Sequence, residues 1–178
     1  DGGTIANCYS SGSVRGDRYV GGLVGINYRA AKIANSYFTG SVNGDINVGG
    51  LVGYNFLEGT ITNCYSTGSV NGDSHVGGLV GRNERGTITN SYWDITTSRQ
   101  LTSAGGEGKT TLKMKQRATF ANWDFDTIWA IVEDESYPYL QWQPGPPVPV
   151  PVFSITGLVV VIGMMCLVLA VAVSRRRR

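Results

Sequence analysis

Short apolar runs rich in Ile, Val, Tyr and Thr alternate along the first half of the chain with Gly, Asn and Asp at fixed offsets. No stretch before residue 109 carries the 3.6-residue apolar period of a helix. The runs repeat. Thr4-Ile5-Ala6-Asn7-Cys8-Tyr9 returns from Lys32, from Thr60 and, as a fourth start, from Thr87, at spacings of 28, 28 and 27 residues. The first three copies continue through Gly-Ser-Val and Gly-Asp to Val-Gly-Gly-Leu-Val-Gly, which begins at Val20, Val48 and Val76. Such periodicity predicts an all-β fold, a parallel β-helix-like solenoid of 28-residue repeats, with about three short strands per repeat.

In-register stacking places successive rungs about 4.8 Å apart and turns equivalent residues into columns. Ile5/Ile33/Ile61/Ile88 and Val14/Val42/Val70 are expected inside. Asn7/Asn35/Asn63/Asn90 are expected to stack through side-chain amides. Cys8 and Cys64 share a slot with Ser36 between them. Two rungs, about 9.6 Å, exceed the reach of a disulfide, so both are expected as free thiols. Three and a half copies are too few to close a propeller.

The period stops at residue 93, and residues 94–143 gather Phe120, Trp123, Phe125, Trp129, Tyr137, Tyr139 and Trp142. Placed next to Trp93, this bulk predicts an aromatic C-terminal cap on the open solenoid end, with a short helix near residues 111–118. The other end lacks a comparable element, and the chain starts directly in a repeat without Met. It is therefore read as a fragment with rungs and any export signal upstream.

Residues 144–152 are a proline-rich, stiff linker. From Ile155 to Val173 run 19 residues without a charge, about 28 Å as a helix, enough for a hydrocarbon core of about 30 Å. The sequence thus predicts one C-terminal transmembrane α-helix over residues 153–174, with membrane lipid as the partner of residues 155–173. Arg175–Arg178 form a basic cytoplasmic tail and leave the repeats extracellular. The linker would hold the capped end a short distance from the lipid.

Gly59 to Asn83, GTITNCYSTGSVNGDSHVGGLVGRN, closely resembles the GLUG repeat of bacterial and archaeal surface proteins, and the resemblance covers roughly residues 3–93. The segment after it looks like the one that closes such arrays. The resemblance implies a β-helix-like solenoid on a secreted or surface-anchored protein, often an adhesin or a large surface peptidase. It transfers no catalytic residue. Spacer, helix and arginines also resemble tripartite sorting signals, which imply a sorting transpeptidase as a partner that cleaves before the helix. Pro151-Val152-Phe153 only approximates the short Pro-x-Phe signature, so retention and cleavage of the helix both stay open.

Charge and candidate chemistry narrow the function. Setting Arg175–Arg178 aside leaves 15 − 4 = 11 basic against 13 acidic side chains, a net of −2. That argues against nucleic acid as a partner. Arg15-Gly16-Asp17 spells an integrin-binding tripeptide, but the same slot reads Asn-Gly-Asp in the next two rungs and is a Gly-Asp turn. Gly105–Thr111 echoes a phosphate loop, yet Ser103 stands where its first Gly is needed, and no hydrophobic strand precedes it.

Asp17, Asp45 and Asp73 align as one column and are the candidate calcium ligands, since stacked carboxylates repel unless solvated or bridged. One Asp per rung is thin coordination, and a solvated turn is favoured. His75 is the only histidine, which excludes a His-based triad within the chain. Asp124, Asp126 and Glu133-Asp134-Glu135 could supply a carboxylate pair for glycoside hydrolysis, but read better as surface and turn residues.

No catalytic residue and no cofactor are assigned. The expected function is a non-enzymatic, membrane-anchored surface module, either an adhesin for an extracellular protein or glycan ligand or a stalk. The alternative is the membrane-proximal spacer of a larger surface hydrolase or peptidase whose catalytic domain lies upstream.

Overall fold

Asparagine sets the first corner of each rung. Asn7, Asn35, Asn63 and Asn90 all take positive φ, between 45° and 53°. Asparagine tolerates this left-handed conformation better than most side chains, and it turns the chain sharply between two short strands. In the computed structural model, which describes residues 2–145, this corner is repeated rung after rung.

Rung one runs β1 (Thr4–Ala6), β2 (Tyr9–Ser10), β3 (Ser13–Arg15), β4 (Arg18–Gly21) and β5 (Val24–Tyr28). Rung two runs β6 (Lys32–Ala34), β7 (Tyr37–Phe38), β8 (Ser41–Asn43), β9 (Ile46–Gly49) and β10 (Val52–Phe56). Rung three continues as β11 (Thr60–Thr62), β12 (Tyr65–Ser66), β13 (Ser69–Asn71), β14 (Ser74–Gly77) and β15 (Val80–Glu84). A partial fourth holds β16 (Thr87–Thr89) and β17 (Tyr92–Asp94). Each full rung therefore has five strands where the sequence suggested three. The breaks on either side of β4, β9 and β14 fall at Gly-Asp (Gly16-Asp17 and its equivalents) and at Gly-Leu (Gly22-Leu23 and its equivalents), while Tyr19, Asn47 and His75 take left-handed backbone within those strands.

Every strand of rungs one and two pairs in parallel with its equivalent in the next rung, Ile5 with Ile33 and Ile33 with Ile61 among them. The solenoid and its register are as the period predicts. Ile33, Val42, Leu51, Val52, Ile61, Val70, Leu79 and Val80 form the dry interior.

One interior column alternates in size: Ser10, Phe38, Ser66, Trp93. It faces Gly22, Gly50 and Gly78. A Cβ on Gly22 would overlap the Phe38 ring, and one on Gly78 would overlap the Trp93 indole. Glycine is needed there because an aromatic ring occupies the volume of two rungs.

A buried amide column fixes register at a corner. Asn27 Nδ2 donates to Asn55 Oδ1 at 2.8 Å, and Asn55 Nδ2 donates to Asn83 Oδ1 at 2.9 Å. The same amides also reach the corner carbonyls of Ala31, Gly59 and Gly86. The column expected to do this, Asn7/Asn35/Asn63/Asn90, is linked through its amides from Asn63 to Asn35 alone, at 3.3 Å. Its residues serve the corner backbone instead.

The segment after residue 94 divides in two. Residues 95–109 seal the solenoid end. α1 (Ile95–Ser98) turns across it, Gly78 and Ala104 make backbone hydrogen bonds to Thr102 and Val80, and Gln100 Nε2 donates to Val70 O. β18 (Glu107–Lys109) then pairs in parallel with β17.

From Thr110 the chain runs along the flank as a strap containing α2 (Thr111–Met114), a 3-10 turn (Arg117–Thr119) and the antiparallel pair β19 (Trp129–Ala130) and β20 (Tyr139–Leu140). The aromatic cluster thus lies over the outward tyrosine column and not on the end, which corrects the expectation of an aromatic end cap. Met114, Phe120, Trp123, Trp129 and Leu140 pack on Tyr37, Tyr65 and Tyr92. Phenols outside a solenoid need both apolar cover and partners for their hydroxyls, and the strap supplies both. Tyr65 Oη donates to Pro138 O at 2.5 Å, and Tyr37 Oη to Gln143 Oε1 at 2.8 Å.

Asp94 ties the strap to the last rung. Its buried carboxylate accepts from the amides of Thr96 and Thr97, from Thr111 Oγ1 and from Tyr137 Oη. The expected helix over residues 111–118 shrinks to one α turn and one 3-10 turn.

Among the described residues, no helix is long and apolar enough to cross a membrane. The helix expected over residues 153–174 and the tail Arg175–Arg178 lie outside them. The strap ends beside rungs one and two, with Gln143 on Tyr37 and Trp142 against Tyr9.

Candidate binding face

Two aromatic columns stand on the outside of the solenoid. The first is Tyr9/Tyr37/Tyr65/Tyr92, in which Tyr37 and Tyr65 stack at 4.8 Å and 4°. The strap covers it. The second lies on the sheet formed by β5, β10 and β15, and among the described residues nothing covers it.

Alternation on that sheet sends Val24, Val52 and Val80 inward and the residues two and four places later outward. The outward positions pair as Ile26–Tyr54–Arg82 and Tyr28–Phe56–Glu84. Tyr19 joins from its left-handed position within the neighbouring strand β4. Ring centroids lie 5.7 Å apart for Tyr19–Tyr54, 5.1 Å for Tyr54–Phe56 and 5.7 Å for Tyr28–Phe56, all near parallel. The Arg82 guanidinium sits 5.4 Å from the Tyr54 centroid, and Arg29 sits 5.1 Å from that of Tyr28. Arg82 also pairs with Glu84 at 3.1 Å, and Tyr54 Oη donates to Glu84 Oε2 at 2.7 Å.

Burial among these neighbours holds the Tyr54 phenol above its usual range, and the bond to the Glu84 carboxylate pushes the same way. The face carries four aromatic rings, the Arg82–Glu84 pair and the Arg29 guanidinium. Tyr19, Ile26 and Tyr28 remain 38%, 46% and 39% exposed. Tyr28, Tyr54 and Phe56 each turn their rings toward at least two neighbouring rings or arginines, whereas Tyr19 has one ring partner, Tyr54.

The residues singled out from sequence fall elsewhere. Asp17, Asp45 and Asp73 form one exposed turn column joined rung to rung by backbone bonds, Asp45 N to Asp17 O and Asp73 N to Asp45 O, each at 3.0 Å. No group of three or more His, Cys, Asp or Glu that could hold a metal ion occurs among the described residues. Arg15 ends β3 opposite Asn43. The stretch resembling a phosphate loop is β18, with Lys109 paired to Glu107.

His75 sits exposed within β14 with Nδ1 2.9 Å from Ser74 Oγ. Asp124 closes a turn by accepting from the Asp126 amide and from both the amide and hydroxyl of Thr127. Those Thr127 bonds hold its carboxyl below the usual range. Glu133 and Asp134 accept from the Arg117 amide and Gln116 Nε2. Cys8 and Cys64 are both free; Cys8 is exposed and Cys64 buried.

The aromatic face escaped sequence reading because its residues do not recur. Ile26, Tyr54 and Arg82 share a slot but not a chemistry. The usable signal was the variable residue between the fixed Gly and Asn of Val-Gly-x-Asn.

Comparison with known proteins finds the repeat itself. The chain carries three repeats of the family described as the GLUG motif, at residues 16–43, 44–71 and 72–96. It is also 45% identical over 56 residues to a protein of Evansella cellulosilytica named "Putative Gly-rich membrane protein". That alignment covers 30% of this chain and 6% of the relative, so the chain spans a small part of that protein's length. No solved structure matches.

Proposed function

We propose that this chain is a non-enzymatic surface module that binds an extracellular polypeptide through the Tyr19–Tyr54–Phe56–Tyr28 face. The observation that carries the reading is the contrast between the two aromatic columns. The Tyr37/Tyr65 column accepts another polypeptide segment, the strap, through tilted aromatic contacts with Trp123 and Trp129 and a phenol-to-carbonyl bond from Tyr65 to Pro138. The second face offers the same stacked phenols without such cover. Tyrosine and arginine are also the side chains that dominate protein interfaces. A glycan stacking on aromatic faces finds those of Tyr28, Tyr54 and Phe56 already engaged by neighbouring rings and arginines.

The test is a peptide array and a glycan array probed with the full chain and with a Tyr54→Ala/Phe56→Ala variant. Aromatic peptides should be retained and lost at least tenfold in the variant at unchanged Tm. Retention on glycans alone would replace the ligand class, and retention on neither array would end the reading.

A role as a stalk, or as the membrane-proximal spacer of a longer surface hydrolase or peptidase, is the alternative reading. Membrane anchoring through residues 155–173, with the repeats outside, is supported by the sequence and by the name of the relative. Protease on intact cells should remove the repeats. Protection until lysis would reject that topology, and intact mass distinguishes a retained helix from one removed by a sorting transpeptidase.

A further inference from the structure

Thr-Gly-Ser-Val-Asn-Gly-Asp occurs twice, as residues 39–45 in rung two and 67–73 in rung three, and the two copies hold both Asn-Gly pairs of the chain. Their sequence is the same, but their surroundings differ. Gly44 N donates to Asn71 O at 3.1 Å, as Gly16 N in rung one donates to Asn43 O at 3.2 Å. Gly72 N has no acceptor among the described residues. β13 is the edge of its sheet, because the chain beyond β17 turns into α1 and the left-handed Arg99 and lays no strand on it. Gln100 Nε2 reaches back to Val70 O, one residue short of Asn71. Asn71 is exposed and Gly72 half-buried, whereas Gly44 is buried.

An edge strand presents main-chain N–H groups that no ladder occupies. In an Asn-Gly pair that nitrogen is the nucleophile next to the side-chain amide, and glycine places no Cβ in its path. A hydrogen bond to the next rung holds both the proton and the nitrogen, as it does at Gly44. We infer that Asn71-Gly72 is a site of spontaneous covalent modification, closing to a succinimide and opening to aspartate or isoaspartate, while the rung stacked on it protects Asn43-Gly44.

Hydroxide removes the Gly72 N–H proton, and the nitrogen electron pair forms a bond to Asn71 Cγ. The Cγ–Nδ2 bond breaks, and Nδ2 takes a proton from water and leaves as ammonia. Water then opens the ring. Cleavage between Cγ and the Gly72 nitrogen gives aspartate, and cleavage between the Asn71 main-chain carbonyl carbon and that nitrogen gives isoaspartate. The balance is one water consumed and one ammonia released, with no change of oxidation state. Either product sets a new carboxylate beside the exposed Asp73, and isoaspartate also lengthens the main chain at the end of β13.

The experiment holds the full chain at mildly alkaline pH and follows its tryptic peptide 33–82, which contains both pairs. Fragmentation locates the gain of one mass unit. In the folded chain Asn71 should convert at least tenfold faster than Asn43, and in urea the two should convert at equal rates. Amide hydrogen exchange should be fast at Gly72 and slow at Gly44. Asn71→Gln, which enlarges the ring to be closed, should leave the folded chain unmodified over the same period at unchanged Tm. Equal conversion at both positions of the folded chain, conversion at neither, or a Gly72 amide as protected as that of Gly44 would each overturn the inference.

Discussion

The indole of Trp142 packs 5.9 Å from the ring of Tyr9, although the two residues belong to opposite ends of the described chain. Between them the chain climbs four rungs, seals the top and descends the flank. The strap therefore clamps all the rungs together from outside, holding Tyr9, Tyr37, Tyr65 and Tyr92 in one line.

That clamp depends on Asp94. Asp94→Ala removes the acceptor of four hydrogen bonds at once, two of them from side chains of the strap. A buried carboxylate in this setting contributes about 3 kcal/mol. Trypsin should cut at Lys113, Lys115 and Arg117 at least tenfold faster, with the far-ultraviolet β signature kept. Unchanged cleavage would show that aromatic packing alone holds the strap.

The Asn27/Asn55/Asn83 column is predicted to hold register. Asn55→Ala removes three side-chain hydrogen bonds and leaves Asn83 Oδ1 without its donor, while Asn27 Nδ2 keeps Ala31 O and Thr60 O and the Gly59 carbonyl keeps Thr87 N. The expected loss is about 2–4 kcal/mol, a fall in Tm of about 5–10 °C. Asn7→Ala, at an exposed corner of rung one, should cost less than half as much. Equal losses in thermal melts would contradict the assignment.

Alkaline pH should unfold the protein earlier than its surface charge suggests. Burial pushes the Cys64 thiol from 9.0 up to about 12, and burial also raises the phenols of Tyr37, Tyr65, Tyr92 and Tyr137. The folded chain keeps protons that the unfolded chain releases. Stability from these groups is thus complete below about pH 9 and is lost as pH rises through the folded values. Tm should fall steadily from pH 9 upward. Cys64→Ser, which matches Ser36 and Ser91 in the same slot, should move the onset toward pH 10. Iodoacetamide should label Cys8 in the native protein and Cys64 only after denaturation.

Gly78→Ala places a methyl group on the Trp93 indole and should cost about 1–3 kcal/mol. Gly12→Ala meets open space and should be near neutral. Similar melts for both variants would show that the interior yields more easily than its packing implies.

The period was enough to obtain the solenoid, its register and the interior Ile and Val columns, because identical neighbours 28 residues apart leave one way to stack. It did not distinguish the two asparagine columns. Both recur with the same spacing, and which turns inward depends on whether the backbone at that residue is left-handed or extended. The strap was hidden for a different reason. Its tryptophans and Phe120 have no repeat of their own, so nothing local tells them to lie along Tyr37 and Tyr65 and not across the end. The exposed face was illegible because Tyr54 and Phe56 interrupt the repeat where Ile26, Arg82 and Glu84 stand in the neighbouring rungs.

The corner just past the buried asparagines has a consequence for how such a molecule changes over time. Four residues separate Asn55 from Thr60, and three separate Asn83 from Thr87, yet Thr60 and Thr87 still pair. The amide simply reaches Gly59 in one case and Gly86 in the other. Gain or loss of residues is thus absorbed at this corner without disturbing either neighbouring sheet. It is the natural graft point for a foreign loop, and the place where lineages carrying this repeat are free to differ in length.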